Sequence, residues 1–513
     1  MAALNRLTPR LRRRLTALAA LLAGAVVPLA FAPFDIYLVA PLALAVLFVL
    51  WHRQSPRQAF ASGWLFGVGM FGAGVYWVFI SVYEFGHAPL AAALVVVVLL
   101  VAYLALYPAL LGYGAARWAS GMPVWRFLAV LPAGWMILAW VRGWLMTGFP
   151  WLDLGYSQID APLGGLAPVL GVYGVSWATA LTAGGVALAV LCPGRRRWVG
   201  LAAPAALWAV AAALGPVQWT TPRGTPLTAS LVQGNIPQEL KWEPSRQVAT
   251  LEKYLDLTRG HWGSDVVVWP ETAIPAFYSQ VRDSYIPRLK TLARRHDAEL
   301  LTGVPVLDRR RERYYNAVVS IGRSHGFYFK QHLVPFGEYL PLRDLLGRLL
   351  EFMPVPMSDF SAGGPDQPLL KAHGYPVGVS VCYEVAFTGL IRRDLPAAAF
   401  LVNVSNDGWF GHSLAPHQHL EMARMRARET GRFLLRATNT GISAIIGPRG
   451  RILSRAPQFQ AAVLSGRIVP LGGATPYVRL GTGPVVAAAC LVALAGLWRG
   501  RRSGGPGSGQ GGG

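Results

Sequence analysis

Charged residues are scarce in this chain. Only 14% of its 513 residues are Asp, Glu, Lys or Arg, whereas 53% are hydrophobic. An ordinary soluble domain carries about 25% charged residues. This deficit argues against a wholly soluble protein, and we expect much of the chain to lie away from water.

Cysteine and lysine are also rare. The three cysteines, Cys192, Cys382 and Cys490, are far apart, which excludes a disulfide framework and gives no spacing typical of a metal site. We therefore expect no metal ion and no cofactor. Of the 47 Lys and Arg residues only five are lysines, at positions 241, 253, 290, 330 and 371.

The net charge of +22 raises the possibility of a nucleic-acid partner, but the distribution of the arginines argues against it. The arginines near the apolar segments form short clusters at the segment ends, as in membrane proteins. We therefore expect a lipid bilayer and no nucleic acid as the partner of this charge.

Eight apolar segments approach the length of about 20 residues that a spanning helix needs. They are residues 15–32, 36–51, 60–83, 89–115, 127–141, 164–192, 199–215 and 482–498. The pattern predicts a seven-helix transmembrane domain at 1–216, an outer domain at 217–480, and an eighth helix with a basic end at 481–502. A Gly-rich tail at 503–513 is expected to be disordered.

The basic clusters alternate along the apolar segments. They precede the first segment and follow the second, fourth, sixth and eighth, whereas Asp35 and Glu84 follow the first and third. Basic loops favour the cytoplasm, so we expect both termini inside and the 217–480 domain outside, with Arg142 against the trend. Two alternatives remain: a signal peptide cleaved near "LAFAPF", which Pro33 disfavours, and an interfacial second segment, which would invert everything downstream.

The outer domain has a different pattern. Short runs rich in β-branched residues recur, among them "LTASLVQG", "DVVVWP", "ELLTGVPV", "YNAVVSIG", "PVGVSVCYE", "AAFLVNVSND", "ISAIIGP" and "AAVLSGRI". Helix-like stretches lie between several of them, at 245–260, 281–297 and 417–433. Strands alternating with helices predict an α/β or layered α-β domain with one core.

Three predicted strands end in polar residues that a core would not select. "VVVWPETAIP" leads to Glu271, "GFYFKQHLVPFGEYLP" carries Lys330 and then Glu338, and "VGVSVCYE" leads to Cys382 and Glu384. At neighbouring strand ends these side chains would converge. Each of them alone is equally compatible with a structural role.

The chemistry of Glu271, Lys330 and Cys382 is coherent. A cysteine is a readily activated nucleophile, and a carboxylate can accept its proton as general base. The lysine and the backbone N–H of Tyr383 would stabilise a tetrahedral oxyanion. The sequence therefore predicts nucleophilic acyl chemistry at the strand ends.

The motifs "WPETAIP", "FYFKQHLVPFGEYLP" and "VCYE" resemble the Glu-Lys-Cys triad motifs of the nitrilase (carbon–nitrogen hydrolase) superfamily. "QGNIPQELKW", "NVSNDGWFG" and "RATNTGISAIIGPRG" narrow the resemblance, as do "FAPFD" and "GFPWLDLGYSQ". Together they are similar to the apolipoprotein N-acyltransferase family from about residue 15 to residue 498.

The resemblance implies a nitrilase-like α-β-β-α sandwich on eight transmembrane helices in a bacterial inner membrane, facing the periplasm. It implies transfer of an acyl chain from a phospholipid, typically phosphatidylethanolamine, to the N-terminal diacylglyceryl cysteine of an apolipoprotein. Glu271, Lys330 and Cys382 match the base, oxyanion stabiliser and nucleophile. Glu338 and Glu384 match supporting carboxylates, and Trp242 matches an aromatic residue on a mobile loop over the site.

The "GFPWLDLGYSQ" loop, residues 148–158, would lie near the membrane entrance for lipid. Its aromatic residues Phe149, Trp151 and Tyr156 are expected to contact substrate. An amphipathic aromatic loop is also typical of a membrane interface, so an interfacial belt without a substrate role is the alternative.

Two other functions are compatible with parts of the sequence. A membrane-tethered amidase or nitrilase would use the same triad but give its thioester to water, and only the eight-span scaffold favours the transferase. A transporter with a ligand-binding outer domain is disfavoured, because the predicted spans contain almost no charges of the kind that transport sites use.

Overall fold

The computed structural model describes residues 8–119, 123–339 and 360–502, and the chain folds into two compact units. The membrane unit comprises residues 1–76, 96–217 and 482–513; the catalytic unit comprises residues 77–95 and 218–481. The predicted Gly-rich tail at 503–513 lies outside the described residues. Residues 77–95, which the sequence groups with the spans, belong to the catalytic unit.

Apolar helices occupy all eight predicted segments. Their bounds are Pro9–Val26, Val39–Trp51, Pro56–Gly74 with Trp77–Ile80, Leu90–Trp118, Leu131–Arg142, Ala167–Leu191, Arg195–Leu214 and Gly483–Arg502. By length and composition five spans in the described residues can cross a membrane, or six if Pro56–Gly74 and Trp77–Phe85 form one bent span. The prediction of several helices able to span a membrane is therefore confirmed. Because Val39–Trp51 and Gly483–Arg499 are shorter, the count of eight stays a prediction.

Small residues and caps shape the membrane unit. Ser55 and Gln58 form a capping box with Pro56 at the first helical position. Gly24 packs so closely on the next-but-one helix that an added Cβ would lie 1.9 Å from the carbonyl oxygen of Phe66. Close approach through small residues is the usual way in which helices associate in lipid.

The loop at 148–158 is part of the interior of the membrane unit. Trp151 and Tyr156 are each 1% exposed, and Phe149 is half-buried. Arg142, the basic residue against the charge pattern, is buried and donates to the carbonyl oxygens of Phe149 and Trp151 at 2.7 and 2.5 Å. Arg142 therefore holds this loop in place through buried hydrogen bonds. It does not lie in an exposed loop, which explains why it does not follow the charge pattern.

The described residues of the catalytic unit form two six-stranded sheets. The first is β2 Leu227–Gln233, β3 Val266–Val268, β4 Glu299–Asp308, β5 Arg313–Ile321, β6 His325–Phe329 and β13 Ala462–Ile468. The second is β7 Leu370–Ala372, β8 Tyr375–Val381, β9 Phe400–Ser405, β10 Leu434–Thr438, β11 Ala444–Ile446 and β12 Ile452–Arg455. A small ribbon pairs β1 Thr221–Pro222 with β14 Leu471–Gly472.

The strand orders are β13-β2-β3-β4-β5-β6 and β12-β11-β10-β9-β8-β7. In each sheet three central strands are parallel, β2-β3-β4 and β8-β9-β10, and the outer ones are antiparallel. Parallel strands present their carboxyl ends at one edge, which is where ligands bind in such sheets.

The sheets pack face to face through apolar side chains such as Val268, Val318, Val379 and Val404. Helices Pro244–Thr258 and Tyr285–Arg295 cover the outer face of the first sheet. Ala415–Thr430, almost wholly buried, packs on the second sheet together with the short helix Thr388–Arg393. This is an α-β-β-α sandwich, so the predicted nitrilase-like fold is confirmed.

Candidate active site

Three strands deliver the predicted catalytic side chains. Glu271 follows β3 after a Trp-Pro pair, Lys330 follows β6 directly, and Cys382 follows β8 directly. β3 and β6 belong to the first sheet and β8 to the second. The candidate site is therefore divided between the two sheets.

Glu271, Lys330 and Glu338 form a buried ion cluster. The Lys330 Nζ lies 2.9 Å from each carboxylate oxygen of Glu338 and 3.7 Å from Glu271 Oε1. Burial opposes the charged ammonium, but Glu338 and Glu271 outweigh it and raise the pKa of Lys330. Lys330 is thus a fixed cation, as an oxyanion stabiliser must be.

Asn316, on β5, orients both carboxylates. Its side-chain Nδ2 donates to Glu271 Oε1 at 2.7 Å and to Glu338 Oε1 at 3.1 Å. Its backbone carbonyl oxygen accepts from the backbone N–H of Lys330 at 2.8 Å. Asn316 is 5% exposed, and a buried amide needs such partners.

The loop that carries Glu271 depends on a glycine in β4. The N–H of Gly303 donates to Pro270, and its carbonyl oxygen accepts from Ile274, each at 3.2 Å. A Cβ at Gly303 would lie 2.3 Å from the Thr272 nitrogen and 2.7 Å from the Glu271 Cα. Only glycine allows this approach, which fixes where Glu271 leaves its strand.

Cys382 adopts an unusual backbone conformation. Its φ is +52°, in the left-handed region that residues with a Cβ rarely adopt. It begins the short 3₁₀ turn Cys382–Ala386. Strained residues of this kind concentrate at functional sites, so the conformation fits a nucleophile held at a turn.

The surroundings of Cys382 keep its thiol protonated in the resting state. Burial and the negative charge of Glu271 raise the pKa of the thiol to about 12, while Lys330 acts in the opposite direction. A thiolate therefore forms only if a base accepts the proton at the moment of attack, and the charge of Glu271 already acts on this sulfur.

A buried network holds the main chain of Cys382 from behind. His419 Nε2 lies 3.1 Å from the Cys382 carbonyl oxygen, and His419 Nδ1 lies 3.0 Å from Asp407 Oδ1. Arg436 donates to Asp407 Oδ2 at 2.9 Å and to Asn403 Oδ1. Burial works against ionised Asp407, but Arg436 and His419 hold the pKa of its carboxyl well below the usual range.

Residues 77–85 contact the same network from another direction. Trp77 packs edge-on against Phe410 at 4.8 Å, and the Ser81 hydroxyl donates to the Trp409 carbonyl oxygen at 2.7 Å. Phe410 in turn packs edge-on against His419 at 6.2 Å. This contact explains why residues 77–95 belong to the catalytic unit.

Glu384 is wholly buried two residues after the cysteine. Its carboxylate accepts from the N–H groups of Gln331, His332 and Val381 and from the Tyr328 hydroxyl, at 2.6–3.0 Å. Burial raises its pKa to about 7, although Lys330 and the backbone donors act against this. Glu384 ties the turn after Cys382 to the chain after Lys330, which is a supporting position.

The remaining predicted residues have different surroundings. Tyr383 is buried and its ring contacts Phe387, while Trp242 is 37% exposed. Phe149, Trp151 and Tyr156 belong to the membrane unit. Substrate binding by these residues and oxyanion stabilisation by Tyr383 stay predictions.

Several residues of the site escape sequence reasoning. Lys241 is buried and donates to the Glu271 carbonyl oxygen at 3.0 Å. The sequence also does not predict Asn316, Asp407, His419 and Arg436. A polar residue at each of these positions is equally compatible with an exposed side chain. The scarcity of lysine was the one available signal, since Lys241 is among only five. Within the described residues no cluster of three metal-ligating side chains is present.

Comparison with known proteins finds related families in both parts of the chain. Residues 23–185 match the family described as apolipoprotein N-acyltransferase N-terminal domain, and residues 228–477 match the family described as carbon-nitrogen hydrolase. The chain is 48% identical to the apolipoprotein N-acyltransferase of Methylococcus capsulatus over 91% of this chain and 93% of that protein.

Two further relatives have the same name. The protein of Vibrio cholerae is 42% identical over 96% of this chain and 98% of its own length, and that of Nitrosomonas europaea is 44% identical over 91% and 94%. These similarities cover at least 91% of this chain. The chain therefore belongs to the apolipoprotein N-acyltransferase family, with a catalytic unit of the carbon–nitrogen hydrolase superfamily.

Proposed function

We propose that this chain transfers an acyl chain from a phospholipid, with phosphatidylethanolamine the expected donor, to the free α-amino group of an apolipoprotein. The acceptor is the diacylglyceryl cysteine at the lipoprotein N-terminus, and the reaction passes through a thioester on Cys382. The observation that carries the proposal is the ion cluster of Glu271, Lys330 and Glu338, in which the charges of Glu271 and Lys330 act on the Cys382 thiol.

In the first step Glu271 accepts the thiol proton while the Cys382 sulfur attacks the ester carbonyl carbon of the phospholipid. The carbonyl π electrons move to oxygen, where the Lys330 ammonium and the Tyr383 N–H stabilise the oxyanion. When the carbonyl re-forms, the ester C–O bond breaks. Glu271 returns its proton to the departing alkoxide, and a lysophospholipid leaves.

In the second step the α-amino group of the acceptor attacks the thioester carbonyl. The C–S bond breaks, sulfur leaves with the bonding electrons, and the proton released by nitrogen returns to the thiolate through Glu271. The products are an amide and the free enzyme. A transferase must shield the thioester from activated water until the amine arrives.

Membrane attachment supports a lipid donor. Withdrawing a long acyl chain from a bilayer costs about 0.8 kcal/mol per CH₂, so the nucleophile of such an enzyme must work at the membrane surface. We propose eight spans in a bacterial inner membrane, both termini in the cytoplasm and the catalytic unit in the periplasm, from the alternating arginine clusters.

The experiment that tests the proposal is intact-mass analysis of purified protein incubated with phosphatidylethanolamine vesicles. We expect one added acyl group on Cys382, which hydroxylamine removes because it is a thioester. Adding a diacylated lipopeptide with a free N-terminus should discharge it onto that amine, and the N-acetylated lipopeptide should not.

The other cysteines are the matched controls. Cys382→Ala should form no adduct, whereas Cys192→Ala and Cys490→Ala should acylate like the wild type, since both lie in the helical membrane unit. An adduct on Cys382→Ala protein would contradict the assignment of the nucleophile.

A membrane-tethered amidase with the same triad is the competing function. It would release its acyl group to water at once. If the wild-type adduct decays to free fatty acid as fast without acceptor as with it, the amidase replaces the transferase.

A further inference from the structure

Lys241 is an inward-facing lysine on an exposed turn. Between residues 237 and 249 all side chains except that of Lys241 are exposed or half-buried, whereas Lys241 is 4% exposed. Lysine is almost never fully buried without a partner. Its burial therefore indicates a specific role inside the molecule.

The turn is anchored next to the site. Gln238 Oε1 accepts from Asn406 Nδ2 at 2.6 Å, which ties the turn to the loop after β9. From there the Lys241 Nζ reaches the loop after β3 and donates to the Glu271 carbonyl oxygen at 3.0 Å. Lys241 thus links the second sheet's loop to the main chain of the proposed base.

The ammonium also acts on the reacting groups. The carboxylate of Glu271, after β3, and the thiolate form of Cys382, after β8, both favour the charged form of Lys241. Lys330 and Glu338, after β6, and Asp407, after β9, are the other charged groups around them. Burial lowers the pKa of Lys241 to about 8, although Glu271 and Cys382 act in the opposite direction. Lys330 is already engaged by Glu338 on both carboxylate oxygens.

We infer that Lys241 is a second active-site lysine, a positioning residue that holds the main chain of Glu271 and places a positive charge near the Cys382 thiol. That charge lowers the free energy of the thiolate and so assists proton transfer from Cys382 to Glu271. The importance of Lys241 for acyl transfer rests on the proposed function; its effect on Cys382 does not.

The test is the rate at which iodoacetamide alkylates Cys382 in the full-length protein, followed by mass analysis of the Cys382 peptide. The thiol proton passes to Glu271, sulfur bonds to the CH₂ carbon, and iodide leaves with its bonding electrons. Lys241→Met should slow alkylation about tenfold at pH 7.5, which corresponds to one pKa unit of the thiol.

Two variants make the result specific. Lys253→Met is the matched control, because Lys253 also donates to a carbonyl oxygen, that of Asn235 at 3.5 Å, but lies outside the site; it should alkylate at the wild-type rate. Lys241→Arg keeps the charge and should restore the rate to within about threefold.

Equal alkylation of wild type and Lys241→Met, or alkylation of Lys241→Arg as slow as that of Lys241→Met, would overturn the inference. Acylation by phospholipid, measured in parallel, separates the two proposals. A wild type that never acquires an acyl group refutes the proposed function, while slow alkylation of Lys241→Met still supports the role of Lys241.

Discussion

The Nε2 of His419 lies 3.1 Å from the carbonyl oxygen of Cys382. A carbonyl oxygen can only accept a hydrogen bond, so Nε2 carries a hydrogen in both the neutral and the protonated form of the ring. The bond comes from Ala415–Thr430, a helix that contributes none of the predicted site residues. It helps to hold the left-handed conformation at Cys382.

Removal of this donor should slow acylation without removing any reacting group. We expect His419→Ala to acylate at least tenfold more slowly and to lose about 2 kcal/mol of stability, because the buried Cys382 carbonyl loses its nearer donor and keeps only Asn403 Nδ2 at 3.4 Å. His419→Gln, which can present an N–H, should recover part of the rate. The exposed His412 is the control, and a His412→Ala protein as slow as His419→Ala would contradict the interpretation.

Loss of the Glu338 carboxylate should release Lys330. Glu338→Gln leaves a buried ammonium without its nearest counter-charge, and breaking such a pair costs about 3–5 kcal/mol. We expect a lower thermal unfolding midpoint, a lower pKa of Lys330, and loss of most acylation. Glu312→Gln, at an exposed position, should change none of these three quantities.

The rate of acylation should fall as the pH drops below about 7. Glu384 has a pKa of about 7, and its protonation removes an acceptor from the N–H groups that hold the turn after Cys382. In Glu384→Gln this acid limb should be absent and the rate low throughout. Burial and Glu384 also raise the pKa of Asp394 to about 7. Asp394→Asn should still lose activity at acid pH. If its rate no longer falls at acid pH, Asp394 and not Glu384 is the group that titrates.

A single methyl group on β4 should disable the base. Gly303→Ala would place a Cβ 2.3 Å from the Thr272 nitrogen, so the loop must shift and carry Glu271 away from Asn316. We expect acylation to fall at least a hundredfold while the membrane unit still folds. Gly263→Ala, where an added Cβ meets no atom within 4 Å, should retain wild-type activity.

The proposed orientation predicts the outcome of reporter fusions. Fusions near residues 55 and 195 should report the cytoplasm, and fusions near residues 220 and 475 should report the periplasm. A cytoplasmic signal at 475 would invert the orientation and with it the side of the membrane on which lipoproteins are modified.

The sequence predicts most strands of the catalytic unit because their β-branched runs are distinctive. Helices predicted at 245–260 and 417–433 are found at Pro244–Thr258 and Ala415–Thr430. The central strand β10 was not predicted, since "LLRAT" carries Arg436, and a buried arginine cannot be recognised before its partners Asp407 and Asn403 are located.

The site shows the same limit. Glu271, Lys330 and Cys382 stand out because polar residues interrupt apolar runs at strand ends. Lys241 lies on a polar turn and His419 on a helix rich in polar residues. Which of the polar side chains there are buried is decided by tertiary packing. The buried loop at 148–158 is the converse case: its aromatic residues suggest an interface, but Arg142 fixes their carbonyl groups in the interior.

The division of the candidate site between two sheets has a consequence for biosynthesis. The first sheet is completed only by β13, which follows Cys382 in the chain by about 80 residues and pairs with β2. A ribosome-bound chain that already contains Glu271, Lys330 and Cys382 therefore lacks an edge of the sandwich that brings them together. We therefore expect the site to assemble only after β13 has been synthesised, late in the production of the chain.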